Sequence, residues 1–488
     1  MSRLFSCRTS CRTISACIVT LLMVWTGPGG SAATSGTVTS VVDATHTTIV
    51  SLTPTTARIS VFGYGFAPPS GQLSFTDVTT STPVAVPVTL NTATSASVLF
   101  LPQVASPTGA NTLPDWTELA DLNGDGNLDL VTSLYQIDSF SVRLGRGNGT
   151  LEQPTVMLIT SGFGPGEVHA ASLRGNGTMD LIIASSNFNQ IAVVLGDGNG
   201  TFQPPVFYTV GSSINIPSSL TIGDFNHDGN LDVAVANSMD DTVSILLGNG
   251  SGALTPSEPA ISVGTNPKSI RAGDFNGDGY SDLAVANFAD GTVTTLLNNQ
   301  NGTFSASTIS VGSGAGSGPR ALAISGAGSS LLLGVANFND NTVSVMHSQG
   351  NGAFGAQTIV PVGHGPDDIR WTDFNGDGIP DLVVANYTDG TINLVIGSAG
   401  GSYSVSVPYR TGGHTTSAAV GDLDGDGTPD IAVSNFYRNE TEVFLSGAEI
   451  TVAYSGLSLT AGHTLVATYI PDAASKYRPS TSPKKIAP

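Results

Sequence analysis

The chain has 488 residues, of which only 11 % are charged, with 59 glycines and a formal net charge of −20. This length allows two or three domains with sizeable cores. The glycine content, with abundant Ser and Thr, excludes a chain of long helices and favours a β-rich one with many tight turns, while the acidic balance excludes nucleic acid and anionic lipid as partners.

Residues 1–33 read as a secretory signal. Arg3, Arg8 and Arg12 give a basic start, Ile14 to Trp25 is an apolar run too short to span a bilayer, and Ser31-Ala32-Ala33 offers a cleavage site. The three cysteines, Cys7, Cys11 and Cys17, all lie in this segment, so the exported chain is expected to lack disulfides and to need another staple. Ile14-Ser15-Ala16-Cys17 faintly resembles a lipoprotein box, but the apolar run follows Cys17, and lipidation is not expected. Cleavage removes three arginines and takes the formal charge from −20 to −23. No other segment reads as transmembrane, which predicts a secreted or cell-surface protein.

Residues 37–98 carry strand-like runs, TTIVSLTP, ARISVFGYG, GQLSFTD and VAVPVTL. A repeat then takes over. DLNGDGNLD begins at Asp121, DFNHDGNLD at Asp224, DFNGDGYSD at Asp274, DFNGDGIPD at Asp373 and DLDGDGTPD at Asp422. Worn copies begin at Ser172 (SLRGNGTMD) and Ile324 (ISGAGSSLL). The period of about fifty residues, repeated through the chain, points to a radial or stacked repeat architecture.

Each unit has one grammar. A short apolar strand enters the acidic loop and a second leaves it (LAVAN, VAVAN, LVVAN, IAVSN). A third strand such as TVSILLG follows, then a turn such as GNGTF, then a fourth strand. Four short antiparallel strands per unit make one propeller blade. LFLPQVASPT at 99–108 matches the fourth-strand pattern of TFQPPVFYTV at 201–210 but precedes the first loop. The last unit stops after its third strand, ETEVFLS. The N-terminal strand is therefore expected to complete the seventh blade and close the ring, leaving no open edge.

Oxygens at loop positions 1, 3 and 5, a carbonyl at 7 and a carboxylate at 9 can wrap one hard cation, with Gly at 6 for the turn. A helical calcium hand also needs Glu at position 12. Here that position holds Thr132, Val235, Val285, Val384 or Val433, and a strand follows. The reading is thus a strand–strand calcium hairpin. Its ligands are expected to be Asp121, Asn123, Asp125, the Asn127 carbonyl and Asp129 in loop one, and Asp224, Asn226, Asp228, the Asn230 carbonyl and Asp232 in loop three. Loop four gives Asp274, Asn276, Asp278, the Tyr280 carbonyl and Asp282. Loop six gives Asp373, Asn375, Asp377, the Ile379 carbonyl and Asp381, and loop seven Asp422, Asp424, Asp426, the Thr428 carbonyl and Asp430. About five Ca2+ sites follow. Loops two and five are expected to hold none, with Arg174 replacing the ion by charge in loop two.

The acidic loop, the VAN strand and the GNGTF turn together resemble the FG-GAP (VCBS) repeats of integrin α-subunit propellers and of many bacterial secreted proteins. The resemblance spans roughly residues 99–447. It implies a seven-bladed propeller with calcium in the first hairpin of a blade on one face, and ligands on the other. In the flanks, APPSGQLSFTD and GLSLTAGHTLVATYIPDAASKYRPSTS resemble the halves of bacterial Ig-like modules. Residues 37–98 and 448–486 are accordingly expected to form one Ig-like domain split by the propeller, with Tyr469 and Tyr477 in or near its core.

For the ligand face, the position fourteen residues after each loop start holds Tyr135, Ser186, Ser238, Phe288, Phe338, Tyr387 and Phe436. The five aromatics are either a sugar- or protein-binding ring or plugs between blades. The loops before each first strand add Glu167, His169, Lys268, Arg320, His364, Asp367 and His414. No GxSxG, HExxH, Walker or Rossmann pattern appears, so the chain is expected not to be an enzyme. The expected function is calcium-stabilised binding or adhesion, to a glycan or protein. The alternatives are a carbohydrate-active lyase or hydrolase, to which His364, His414 and Arg320 would contribute, and a structural envelope protein.

Overall fold

The computed structural model describes residues 45–52, 57–63, 71–77, 79, 81–83, 88–90, 97–100, 104–212, 216–454, 464–471, 480–481 and 485–486. The signal segment and Tyr477 lie outside these, as does the side chain of Tyr469. The chain is all-β, and among the described residues no helix is long and apolar enough to cross a membrane. It divides into two compact units.

The larger unit is a seven-bladed propeller. Blade four is typical: Pro267–Gly273, Asp282–Asn287, Thr292–Asn298 and Phe304–Ser310 pair in sequence order, all antiparallel. The innermost strands are Pro114–Ala120, Pro165–Ala171, Pro217–Gly223, Pro267–Gly273, Pro319–Ser325, Pro366–Thr372 and Thr415–Gly421. Each packs on the next, and the last packs on the first. Closure uses the N-terminal strand as the sequence predicts: Val104–Pro107 pairs with Glu440–Phe444 as the fourth strand of blade seven. Arg143 donates to the Pro107 carbonyl, and Asn439 Oδ1 accepts from the amides of Thr112 (2.8 Å) and Leu113 (3.0 Å) beside the seam.

The repeated motifs have plain structural causes. Every second strand is buried along its whole length, because blades cover it on both faces, so it reads as a continuous apolar run rather than an alternating one. In blades three to six its final Asn is buried and bridges to the third strand: Asn287 Nδ2 donates to Thr292 Oγ1 (3.0 Å) and Thr294 Oγ1 (2.8 Å), and Asn337 does the same with Thr342 and Ser344. In the GNGTF turn, Asn Oδ1 accepts from the amide two residues on, as Asn199 does from Thr201 (3.0 Å). In blades one, two, three and five the turn's second glycine is pressed against the preceding blade. A Cβ on Gly149, whose φ is +73°, would stand 2.5 Å from a Leu445 methyl.

Inner strands of neighbouring blades are joined by side chains. The third residue of one inner strand accepts the amide of the fourth residue of the next: Glu167 from Leu220, Ser219 from Ile270, Ser269 from Leu322, Asp368 from Ala418 and Ser417 from Thr117. These bonds satisfy backbone donors along an edge that has no ladder partner.

The smaller unit draws on both flanks. Gly71–Asp77 pairs antiparallel with Thr464–Pro471, and Thr45–Leu52 with Ala57–Gly63. Strands from before and after the propeller thus share one sheet. An immunoglobulin-like topology for this unit remains a proposal.

Candidate functional site

The acidic hairpins end the propeller on one face. Their first Asp caps the loop: Asp274 Oδ1 accepts from Gly277 (2.7 Å) and Asp278 (3.2 Å), and Oδ2 from Gly279 (3.0 Å). Asn276 Oδ1 accepts from Asp278, and Asp278 Oδ1 from Tyr280. Loops one, three, six and seven follow the same plan. In loop seven, ligand oxygens of Asp422, Asp424 and Asp426 lie within 4.8 Å of one another. This donor set of carboxylates and amide oxygens fits a hard divalent cation.

The Asp at position 9 has a second task that motif reading misses. Asp282 is fully buried; its Oδ2 accepts from Phe275 (2.9 Å) and its Oδ1 from Asn298 (2.8 Å), tying the third strand's end to the hairpin. Asp129, Asp232, Asp381 and Asp430 repeat this clamp. Burial pushes their carboxyls up, with the neighbouring loop aspartates adding to the shift: Asp282 and Asp381 to about 6, and Asp430 to about 8. Asp180 of loop two also holds Gly196 (2.9 Å), and there Arg174 donates to both its oxygens, at 2.6 and 3.3 Å. Loop five has no carboxylate and closes on a short turn at Gly328–Ser330.

The position-fourteen side chains stand at the other end of the second strands. Tyr135, Phe288, Phe338, Tyr387 and Phe436 are half-buried. Each of three meets a glycine of the next blade: Tyr135 meets Gly164, Phe288 meets Gly318 and Phe338 meets Gly365. Tyr387 stacks at 4.6 Å on His414, and Tyr135 lies 6.3 Å from Phe436 across the closing seam. In blades two and three the place is taken by Ser186 and Ser238, and here a cavity opens.

That cavity, about 200 Å³, lies on the ring axis and takes lining residues from all seven blades. The second residues of the inner strands form its rim: Asp115, Gly166, Ser218, Lys268, Arg320, Asp367 and Thr416. Trp116 and Glu167 lie below. Arg320 pairs with Asp367 and stacks at 5.5 Å over Phe338. Farther down the axis, Glu167 meets Arg271 at 3.0 Å and His169 at 2.9 Å, His169 faces Glu118 at 3.6 Å, and Arg370 pairs with Asp368. The guanidinium of Arg370 lies 4.9 Å from the Trp116 ring.

These charges set each other's protonation. Burial raises the Asp115 carboxyl to about 7, with Asp367 adding to it against Arg320. For Glu167, burial is outweighed by Arg271 and His169, which hold it at about 2. His169 is raised to about 9 because Glu118 and Glu167 outweigh its burial. Lys268 is pushed down by burial and by Arg320. The cavity therefore pairs a carboxyl that titrates near neutrality with a weakened ammonium.

Of the candidates named from the sequence, Glu167, Lys268, Arg320 and Asp367 come together in the cavity, and His169 lies beneath it. His364 stands exposed on Asp389 (2.9 Å), and His414 Nδ1 donates to the Tyr387 carbonyl (2.9 Å); neither lines the cavity. Asp115, Trp116 and Ser218 were not singled out. Aligning the second and third residues of all seven inner strands would have found them.

Among known proteins, the FG-GAP-like repeat matches residues 121–183, 173–235, 224–285, 274–325, 331–384 and 373–433. No curated protein matches the chain. Similar solved structures include BBS1N in complex with ARL6DN, soaked with lead, at 15 % identity, TM-score 0.50, covering 71 % of this chain and 96 % of that one. A putative 6-phosphogluconolactonase from Bacteroides uniformis is 14 % identical, covering 72 % and 93 % with TM-score 0.49. The Pseudomonas aeruginosa periplasmic gluconolactonase, PpgL, is 15 % identical, covering 72 % and 96 % with TM-score 0.48. The expectation that the chain is not an enzyme is corrected: it rested on missing motifs that belong to other folds, and their absence does not exclude catalysis on a propeller. At such identities the likeness shows the ring alone. The repeat matches cover more than half of the sequence, and the chain belongs to the FG-GAP-like repeat family.

Proposed function

We propose that this is a calcium-stabilised binding protein, exported to the medium or the cell surface, whose ligand docks at the axial cavity on the face opposite the acidic hairpins. The observation that carries this reading is the cavity itself: every blade contributes to it, and its lining breaks the repeat at each blade. A concave site with a few converging polar groups is the usual form of a ligand pocket. Its volume, about 200 Å³, is below that of a drug-sized site, so it suits a small polar molecule or one group of a larger glycan or protein partner.

Calcium is proposed at the five acidic hairpins, held by the side chains at positions 1, 3, 5 and 9 and the carbonyl at 7. Bound there, it would neutralise carboxylates that otherwise repel one another and would fix each hairpin to its blade. Supporting this is the convergence of Asp422, Asp424 and Asp426.

The test is a glycan array together with a thermal-shift screen of small polar metabolites, both in calcium. A ligand whose affinity falls about tenfold or more in Arg320→Ala is expected. Ligands that bind equally well to Arg320→Ala and to Ser238→Phe, which fills the mouth, would overturn the axial reading. A second reading, catalysis in the same cavity, rests on its lining holding both a raised carboxyl, Asp115, and, across the axis, a depressed ammonium, Lys268, groups suited to acid–base work. Turnover of a screened ligand, lost in Asp115→Asn with binding kept, would establish it.

A further inference from the structure

This inference rests on the axial cavity being the binding site and names what the cavity takes. Its charged groups fall into two sets. Arg320 is matched by Asp367, and Glu167 by Arg271 and His169. Two remain. Among the described residues, the Lys268 ammonium makes no ion pair or hydrogen bond, and neither does the Asp115 carboxylate; both line the cavity. Lys268 belongs to blade four and Asp115 to blade one, three steps apart in a ring of seven, so the axis separates them. A partly buried charge without a partner is costly, and proteins that keep one have a counter-charge for it. Arg320 acts on Asp115 and Asp367 on Lys268 only from beyond ion-pair distance, and a ligand lying between the two would bring each a close counter-charge.

The hydroxyls argue the same way. A sugar would need several free hydrogen-bonding groups. Ser218 Oγ donates to the Pro267 carbonyl (2.6 Å), Ser238 Oγ to the Ile216 carbonyl (2.9 Å) and Thr416 Oγ1 to the Asp115 carbonyl (2.6 Å). Ser219 and Ser269 each accept a backbone amide from the next blade. The Trp116 ring, which would otherwise stack on a sugar, is already faced by Arg370. The cavity therefore reads charge far better than it reads a pattern of hydroxyls.

We propose that the axial cavity binds a small ammonium–carboxylate compound of the α-amino acid class, its carboxylate on Lys268 and its ammonium on Asp115. The side chain of the ligand would point to blades two and three, where Ser186 and Ser238 leave the mouth open and Ile216 lines it.

The experiment is calorimetric titration of the full chain in calcium with the twenty α-amino acids. Butylamine and butyrate serve as half-ligands, and D-glucuronate as the acidic sugar. At least one amino acid is expected to bind, with both half-ligands about thirtyfold weaker or worse, as the loss of one buried charge pair implies. Lys268→Met and Asp115→Asn should each lose a similar factor while keeping the wild-type melting temperature within a few degrees. Should either variant fail to fold, Ser238→Phe, which places in blade three the side chain other blades carry, should abolish binding by filling the mouth. Half-ligands as strong as the amino acids, or binding indifferent to both charge substitutions, would overturn the proposal. Glucuronate binding that needs Lys268 but not Asp115 would also overturn it and leave the axial site standing. No response to any of these probes would overturn it too. If every ligand of the wider screen ignored Arg320→Ala and Ser238→Phe, the axial site itself would fall.

Discussion

The two faces of the propeller are built on opposite rules. At the hairpin face, five loops carry nearly the same nine residues and the same hydrogen bonds. At the axial mouth, the equivalent positions read Asp, Gly, Ser, Lys, Arg, Asp and Thr, with no residue type shared by more than two blades. A feature repeated in five of seven blades serves what each blade must do, namely fold and pack on its neighbour. A ring that varies its residues at one end has broken its own symmetry there, and only a ligand without that symmetry gives a use for doing so.

Removing metal is the strongest way to test the first half of this contrast. Chelation is expected to lower the melting temperature by roughly 10 °C or more, since each ion at a hundred times its Kd stabilises by about 2.7 kcal/mol. Differential scanning calorimetry with and without chelator measures it, and an unchanged melt would remove calcium from the account. Asp278→Ala should lose one ion by elemental analysis.

Arg174 gives the next largest effect. It lies on the buried Asp180, where the other hairpins place their acidic sets. Arg174→Ala strands that carboxylate and should cost about 3–5 kcal/mol with the calcium count unchanged. If the loss were under about 1 kcal/mol, the pairing would be incidental, and blade two would not be held by charge in the way proposed.

How far the sequence reached follows the same contrast. The period, the four strands, the closing strand and the loop sets were all legible because each recurs, and recurrence turns a weak local signal into a strong one. The clamp made by Asp129 and its counterparts was hidden because one residue type answers to two tasks: a ligand and an amide acceptor look alike in a motif. Asp115 and Trp116 were missed because neither belongs to a repeated motif, and the seven inner strands bring Asp115 into one cavity with Lys268, and Trp116 beside Arg370, from remote parts of the chain. His364 and His414 drew notice for their chemistry alone, yet their side chains are engaged by Asp389 and the Tyr387 carbonyl and neither lines the cavity.

Glu442 refines the comparison at the ring's seam. It sits in the third strand of blade seven, opposite Ala105 of the closing strand, with both carboxyl oxygens buried beside the Asn435 side chain and without a well-formed hydrogen bond. Burial, with Glu440 nearby and Arg438 opposing, raises its carboxyl to about 8. The unfolded chain loses this proton near the ordinary value of 4.5, so the folded state binds more protons between about 4.5 and 8. Stability attributable to this group therefore falls as pH rises through that window. Glu442→Gln is expected to stabilise by about 1–3 kcal/mol at pH 8.5, and by much less at pH 5. Equal gains at both pH values would mean that the group's charge is not what matters.

The smallest effect concerns the position where the two rules meet. Phe338 packs beside Gly365 of the next blade, which makes it part of the repeat, and beneath Arg320, which makes it part of the mouth. Phe338→Leu keeps most of the apolar volume but removes the ring face, and should cost about 1 kcal/mol of stability. If the aromatics are blade plugs, that is the whole effect, and affinity for the axial ligand stays within about threefold of wild type. A larger drop in affinity than in stability would instead show that the ring under Arg320 holds the guanidinium in place for the ligand. The aromatic positions would then belong to the mouth, and the serines of blades two and three would be the places where that rim was deliberately left open.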